Sequence, residues 1–165
     1  MDVSLEIKPI SPENLESSLA VPDLTDSTNG IHAINLALDR IVESLRSIPE
    51  WPSPEIHRTH PIVSIEDNFD RLYFPSDNLS RSSVYARYVS STHLLRTHSS
   101  AAIPDLLKEQ TNQQDRILVC PGICYRRDVA DRIHCGEPHQ VDIWRVKMGT
   151  PFLRRQDLLE LIETV

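Results

Sequence analysis

An α+β domain built on an antiparallel sheet is the fold this sequence predicts, and three observations predict it. Apolar residues recur at helical spacing near each end, at Ile31, Ile34, Leu38, Ile41, Val42 and Leu45 and again at Leu158, Leu159, Leu161 and Ile162. Between those stretches, β-branched and aromatic residues gather into short runs broken by polar turns. The length of 165 residues suffices for one domain with a real core.

The elements follow in order. Residues 1–28 are rich in serine, proline and acids, and read as a mobile acidic leader. They carry six acids against one base, which leaves the rest of the chain nearly neutral although the net charge is −7. Asn29 and Gly30 mark a helix start, and the helix should stop near Ile48 because Pro49, Pro52 and Pro54 follow. Residues 56–70 read as extended loop and 76–78 as a turn. Strands are predicted over 84–89 and 94–98, joined by a Ser-Ser-Thr turn. A short helix over 101–110 tolerates Pro104 in its first turn. A buried strand spans 116–120, a hairpin pairs 122–128 with 139–147, and a last amphipathic helix begins near Arg154.

Composition excludes several classes. The charge balance does not suit a stand-alone nucleic-acid coat. No apolar run reaches membrane-spanning length, no secretory signal is present, and an acidic start does not resemble a transit peptide. Three cysteines, an odd number without an export signal, point to reduced thiols and a cytosolic setting.

Polar residues recur where a half-buried strand prefers apolar ones. Arg96, His98 and Ser100 cluster at the end of one predicted strand, Arg126 and Asp128 share a face of another, and Gln140 and Asp142 share a face of the third. Together they could line one floor, with an arginine fork for phosphate, acids for an amine, and amide and hydroxyl groups for hydrogen bonds. Cys120, Cys124, His134, Cys135 and His139 imitate a metal-ligand list. Extended chain does not bring cysteines four apart together without a knuckle turn, so no metal is expected there. Trp51 and Trp144 read as packing residues.

These segments carry a resemblance. Leu94-Leu-Arg-Thr-His-Ser-Ser100 resembles the Leu-Leu-Arg-Thr-His-Thr-Ser segment of the phenylalanyl-tRNA synthetase α subunit, and Pro121-Gly-Ile-Cys-Tyr-Arg-Arg-Asp128 resembles its Pro-Gly-Arg-Val-Tyr-Arg-Arg-Asp. Asp131, His134 and His139-Gln140 are similar to its Asp-Ala-Thr-His and Phe-His-Gln-x-Glu elements. Upstream, Asn68-Phe-Asp70 and Phe74-Pro75 look like its Asn-Phe-Asp and Ile-Pro. The resemblance covers about residues 31–165, and His32 with the following helix is similar to the family's first motif region.

The resemblance implies the N-terminal portion of a class II synthetase core, with ATP and Mg used to activate an amino acid or related carboxylate. It places Arg126 on the α-phosphate, Asp128 near the nucleotide, and His134 by the phosphates or the acceptor end. His98, Ser100 and Gln140 would hold the amino acid's ammonium and carboxylate, with Asp142 near the amine. It implies tRNA or another acceptor, and a homodimer or a synthetase-type partner subunit. Departures fall at Ile123, Pro138, Asp142-Ile143 and the pair Arg87-Tyr88, positions expected on the pocket walls and the loop. The family's third motif, Gly-rich with a nucleotide-binding arginine, has no counterpart in this sequence. Two expectations follow: a synthetase-like ligase completed within a longer chain, or a truncated, inactive paralogue that serves as a binding or dimerisation module.

Overall fold

A computed structural model of the chain describes residues 6–108, 115–127, 131–132 and 135–165. At its centre lies β4 (Asp115–Ile123), flanked by the parallel strand β1 (Pro54–Ile56) and the antiparallel strand β5 (His139–Lys147). Residues Arg116 to Ile123 of β4 are buried, which requires cover on both faces of the sheet. Alternation supplies it. Ile117 and Val119 pack under Leu38, Val42 and Leu45 of the helix α2 (Ala33–Arg46). Leu118 and Cys120 point the other way, against Ala102, Ile103 and Leu106 around the short helix α4 (Ile103–Lys108).

The first long helix starts three residues later than the Asn29-Gly30 signal suggests. His32 caps it, its Nδ1 accepting from the N–H of Ile34 at 3.2 Å while Asn35 Oδ1 accepts from the His32 N–H at 3.3 Å. A second, two-stranded sheet pairs β2 (Ile62–Ser64) with β3 (His93–Leu95). The predicted strand over 84–89 is therefore not β3's ladder partner. Tyr88 makes single bridges to Pro9 and Leu94, because Ala86 and Tyr88 are drawn into a core with Phe69 and Leu94. The region expected to be loop before it holds β1, β2 and the one-turn helix α3 (Ile65–Asn68).

The hairpin also differs from expectation. Pairing with β5 begins at Asp115 and ends at Ile123, so 116–120 and 122–123 belong to one strand. Beyond it, the chain stays extended between two neighbours. The N–H groups of Cys124 and Arg126 donate to Pro138 O and Gly136 O, while those of Tyr125 and Arg127 donate to Arg96 O and Tyr85 O. This alternation stitches the two sheets together at residues 124–127.

Gly122 is required by a close approach. A Cβ there would lie 2.0 Å from Arg96 Nη2 and 2.9 Å from its Cζ. Arg96 is only 3 % exposed, and its Nε donates to Ile123 O at 2.8 Å while Nη1 reaches the Thr59 hydroxyl at 3.0 Å.

Residues 6–28, expected as a mobile leader, are packed on the body. Ser11 caps the helix α1 (Pro12–Leu19), and Ile10, Leu15 and Val21 pack against Leu95, Ile123 and Tyr125. Arg58 donates to the Thr25 hydroxyl at 2.8 Å and to its carbonyl at 2.7 Å. The apolar spacing in this segment is too sparse to announce a helix, and its anchors lie far away in sequence. The last helix, α5 (Arg155–Thr164), lies against α2 with Leu161 turned inward.

Candidate functional site

Where the two sheets are stitched, a cavity of about 800 Å³ opens, lined by His98, Ser100, Thr97, Arg126, Tyr85 and Trp144 among others. Its frame is Asn68, a fully buried side chain at the end of α3. The Asn68 amide donates to the Thr97 hydroxyl at 2.9 Å, and its carbonyl oxygen accepts from the Thr97 N–H at 3.1 Å. The Asn68 backbone carbonyl lies 2.9 Å from His98 Nε2. Because a carbonyl only accepts, that nitrogen carries the proton. His98 Nδ1 is then an acceptor, and it is buried without a partner among the described residues. Phe74 stacks on the ring, with centroids 5.4 Å apart and planes 6° from parallel.

Burial holds the His98 pKa below the ordinary imidazole value, with Arg126 lowering it further, while Asn68 and Asp142 pull the other way. The ring is thus kept neutral, as desolvation of a cation requires. Arg126 Nε donates to Thr97 O at 3.0 Å, and its terminal nitrogens have no partner among the described residues. The side chain borders the cavity.

On β5, Gln140, Asp142 and Trp144 share one face by alternation. Gln140 Oε1 accepts from the Ser99 N–H and from the Cys124 thiol, both at 3.3 Å. Asp142 Oδ2 is buried without a partner among the described residues. Trp144 forms cavity wall, so it contributes more than packing. Gln140 and Asp142 do not line the cavity themselves and lie deeper along the same strand.

The structure therefore brings His98, Ser100 and Arg126 to one cavity and sets Gln140 and Asp142 beside them. The expected Asp128 and His134 lie outside the described residues. Among the metal-like residues, Cys120 and Cys124 are buried thiols with pKa values pushed up to about 11, chiefly by desolvation. His139 Nε2 accepts from the Leu24 N–H at 2.9 Å. Tyr88, expected at a pocket wall, lies in the core, its hydroxyl donating to Arg81 O at 2.6 Å. Ile123 is likewise core. Sequence reasoning assigned no role to Asn68 or to the aromatic wall of Phe74 and Tyr85. The signal for Asn68 and Phe74 was their place in the segments that resemble the family, which came without a role.

Comparisons with known proteins follow this geometry. A family model described as tRNA synthetases class II core domain (F) matches residues 18–164. The mitochondrial phenylalanine–tRNA ligase of Saccharomyces cerevisiae is 30% identical over 143 residues, which cover 81% of this chain and 30% of that protein. The phenylalanine–tRNA ligase alpha subunit of Thermosynechococcus vestitus is 28% identical, over 90% of this chain and 43% of that one. The chain thus spans less than half the length of these relatives. A pyrrolysyl-tRNA synthetase structure from Desulfitobacterium hafniense superposes with a TM-score of 0.56 at 14% identity, over 92% of this chain and 48% of that one. That likeness speaks for the fold. With the family match running from the end of α1 through both sheets to α5, the chain belongs to the class II tRNA synthetase core-domain family.

Proposed function

We propose that this chain forms the ligand-binding half of an ATP-dependent amino-acid-activating site, with phenylalanine or a related carboxylate as substrate. One observation supports it most directly: among the described residues, two buried acceptors lack partners, His98 Nδ1 and Asp142 Oδ2, near an arginine fork with no carboxylate against it. Buried acceptors left bare cost about 1–3 kcal/mol each, so such a group calls for a donor from outside. An ammonium supplies donors to the acceptors, and a carboxylate or phosphate meets the fork. The aromatic wall of Phe74, Tyr85 and Trp144 suits an apolar side chain or a base.

In this reading His98, Ser100, Gln140 and Asp142 hold the amino acid. Gln140 is held in place beside the cavity, since two donors occupy its oxygen. Arg126 binds the α-phosphate. One oxygen of the amino acid's carboxylate attacks the α-phosphorus while the bond to pyrophosphate breaks, and Arg126 offsets the charge that gathers there. Asp128 and His134 are assigned to the nucleotide and the phosphates by resemblance. Mg enters with ATP as its counter-ion. The acceptor is tRNA or another molecule, and the working unit is a homodimer or pairs with a synthetase-type subunit. We place it in the cytosol from its unpaired thiols; fractionation checks this, since the yeast relative is named mitochondrial.

Amino-acid-dependent exchange of labelled pyrophosphate into ATP tests the reading. Exchange with one of a panel of amino acids, lowered at least about a hundredfold by Arg126→Ala, is the expected result. Absence of exchange with every amino acid overturns activation by this chain. The second reading is a binding module without catalysis, and ligand binding without exchange assigns it.

A further inference from the structure

Behind Arg126, on the side away from the cavity, one guanidinium ties three segments together. Arg87 Nη2 donates to the Arg126 carbonyl at 2.9 Å, and Nη1 donates to the Ser18 hydroxyl of α1 at 3.1 Å. Nη1 also pairs with Glu137 at 2.5 Å. The group sits so close over the loop before β5 that a Cβ on Gly136 would lie 2.7 Å from Nη2. Gly136 O in turn accepts the Arg126 N–H at 2.7 Å. Both polar groups of the Arg126 backbone are thus fixed from behind, and its side chain is fixed in front by Thr97 O. The Arg87 side chain is 17% exposed, so these bonds are shielded from competing water.

We propose that Arg87 is the positioning residue for Arg126, and that α1, through the buried Ser18, is a working part of the ligand site. Three fixed points define where a planar fork can reach, and losing the carbonyl anchor lets the 124–127 segment swing. The ligand half of this inference rests on the proposed activation function; the geometric half does not. Arg87→Lys separates anchoring from simple charge. Lysine keeps the pairing with Glu137, yet its single point charge does not reach Ser18 and the Arg126 carbonyl together.

Two readouts decide it. The first is solvent exchange of the Arg126 Nε proton by NMR, assigned by its disappearance in Arg126→Lys. The second is affinity for Mg·ATP, followed by Trp144 fluorescence. Arg87→Lys is expected to speed that exchange and to weaken Mg·ATP about tenfold, with a melting temperature close to the parent's. Ser18→Ala, which removes one hydroxyl, moves both readouts the same way by a few-fold, and carries the test if Arg87→Lys does not fold. Unchanged exchange in both variants overturns the proposal. A parent chain that binds no Mg·ATP sinks the activation reading alone, since Nε exchange still tests the anchor.

Discussion

A ring with one nitrogen bonded and the other bare responds to pH in a defined direction. His98 is held neutral by burial, so its pKa in the folded chain is lower than the ordinary value of 6.5. An unfolded chain takes up that proton near pH 6.5 while the folded one resists. The stability His98 contributes is therefore complete above pH 6.5 and is lost as pH falls through the lower folded value. Urea titrations at pH 7.5 and 5.5 are expected to show a drop in the midpoint that shrinks in His98→Gln. An equal drop in both proteins refutes this. Protonation also removes the Nδ1 acceptor, so amino-acid affinity should fall over the same window.

Among the elements, β1 is three residues long and joins the sheet by only one edge, so it needs a latch. Arg116 and Glu55 provide it as a bidentate pair, with Arg116 Nη2 2.7 Å from Glu55 Oε2 and Nε 3.0 Å from Oε1. The Arg116 hydrogen bond holds the Glu55 carboxyl below its usual pKa. That contribution is present above about pH 4.5 and fades as pH falls through the lower folded value. Glu55→Gln should cost about 2 kcal/mol in chemical denaturation and should loosen hydrogen exchange at Ile117 and Val119, whose backbone polar groups face β1. A change below about 0.5 kcal/mol with exchange intact counts against the latch.

Much of this architecture was legible because the signals were local. The 3.6-residue repeat of α2 and the apolar run at 117–120 both fold as read. The hairpin register was not legible, since Pro121 and Gly122 look like punctuation. Their significance lies in Arg96, which is 26 residues away from Gly122 in sequence and fills the space beside it. The packing of residues 6–28 was not legible for the same reason: its anchors, Arg58, Arg87 and His139, are all remote. In the site, His98, Ser100 and Arg126 could be named from their spacing, but Asn68 could not. Its importance comes from its complete burial, a property of the assembled core.

Over the whole molecule, the three thiols report how cooperatively it opens. Cys120 and Cys124 lie in the central layer with pKa values near 11, and Cys135 is exposed. A thiol-specific reagent at pH 8 should label Cys135 rapidly and the other two only at the global unfolding rate. Prompt labelling of Cys120 in the native protein contradicts a shared core. Since an unfolded thiol ionises near its ordinary value of 9.0 and a folded one near 11, stability should decline as pH rises through that interval. The scale is about 2–3 kcal/mol for each thiol.

The tight fit of Gly122 against Arg96 carries a consequence for descent. Their dependence runs one way. A lineage that keeps arginine at 96 purges any side chain at 122, and one that trades the arginine for a smaller residue still meets the φ of +154° at Gly122, which side chains rarely adopt. The glycine should therefore persist among relatives even where residue 96 changes. Its persistence records a backbone angle and a neighbour's volume, and is silent about whether the chain still performs any reaction.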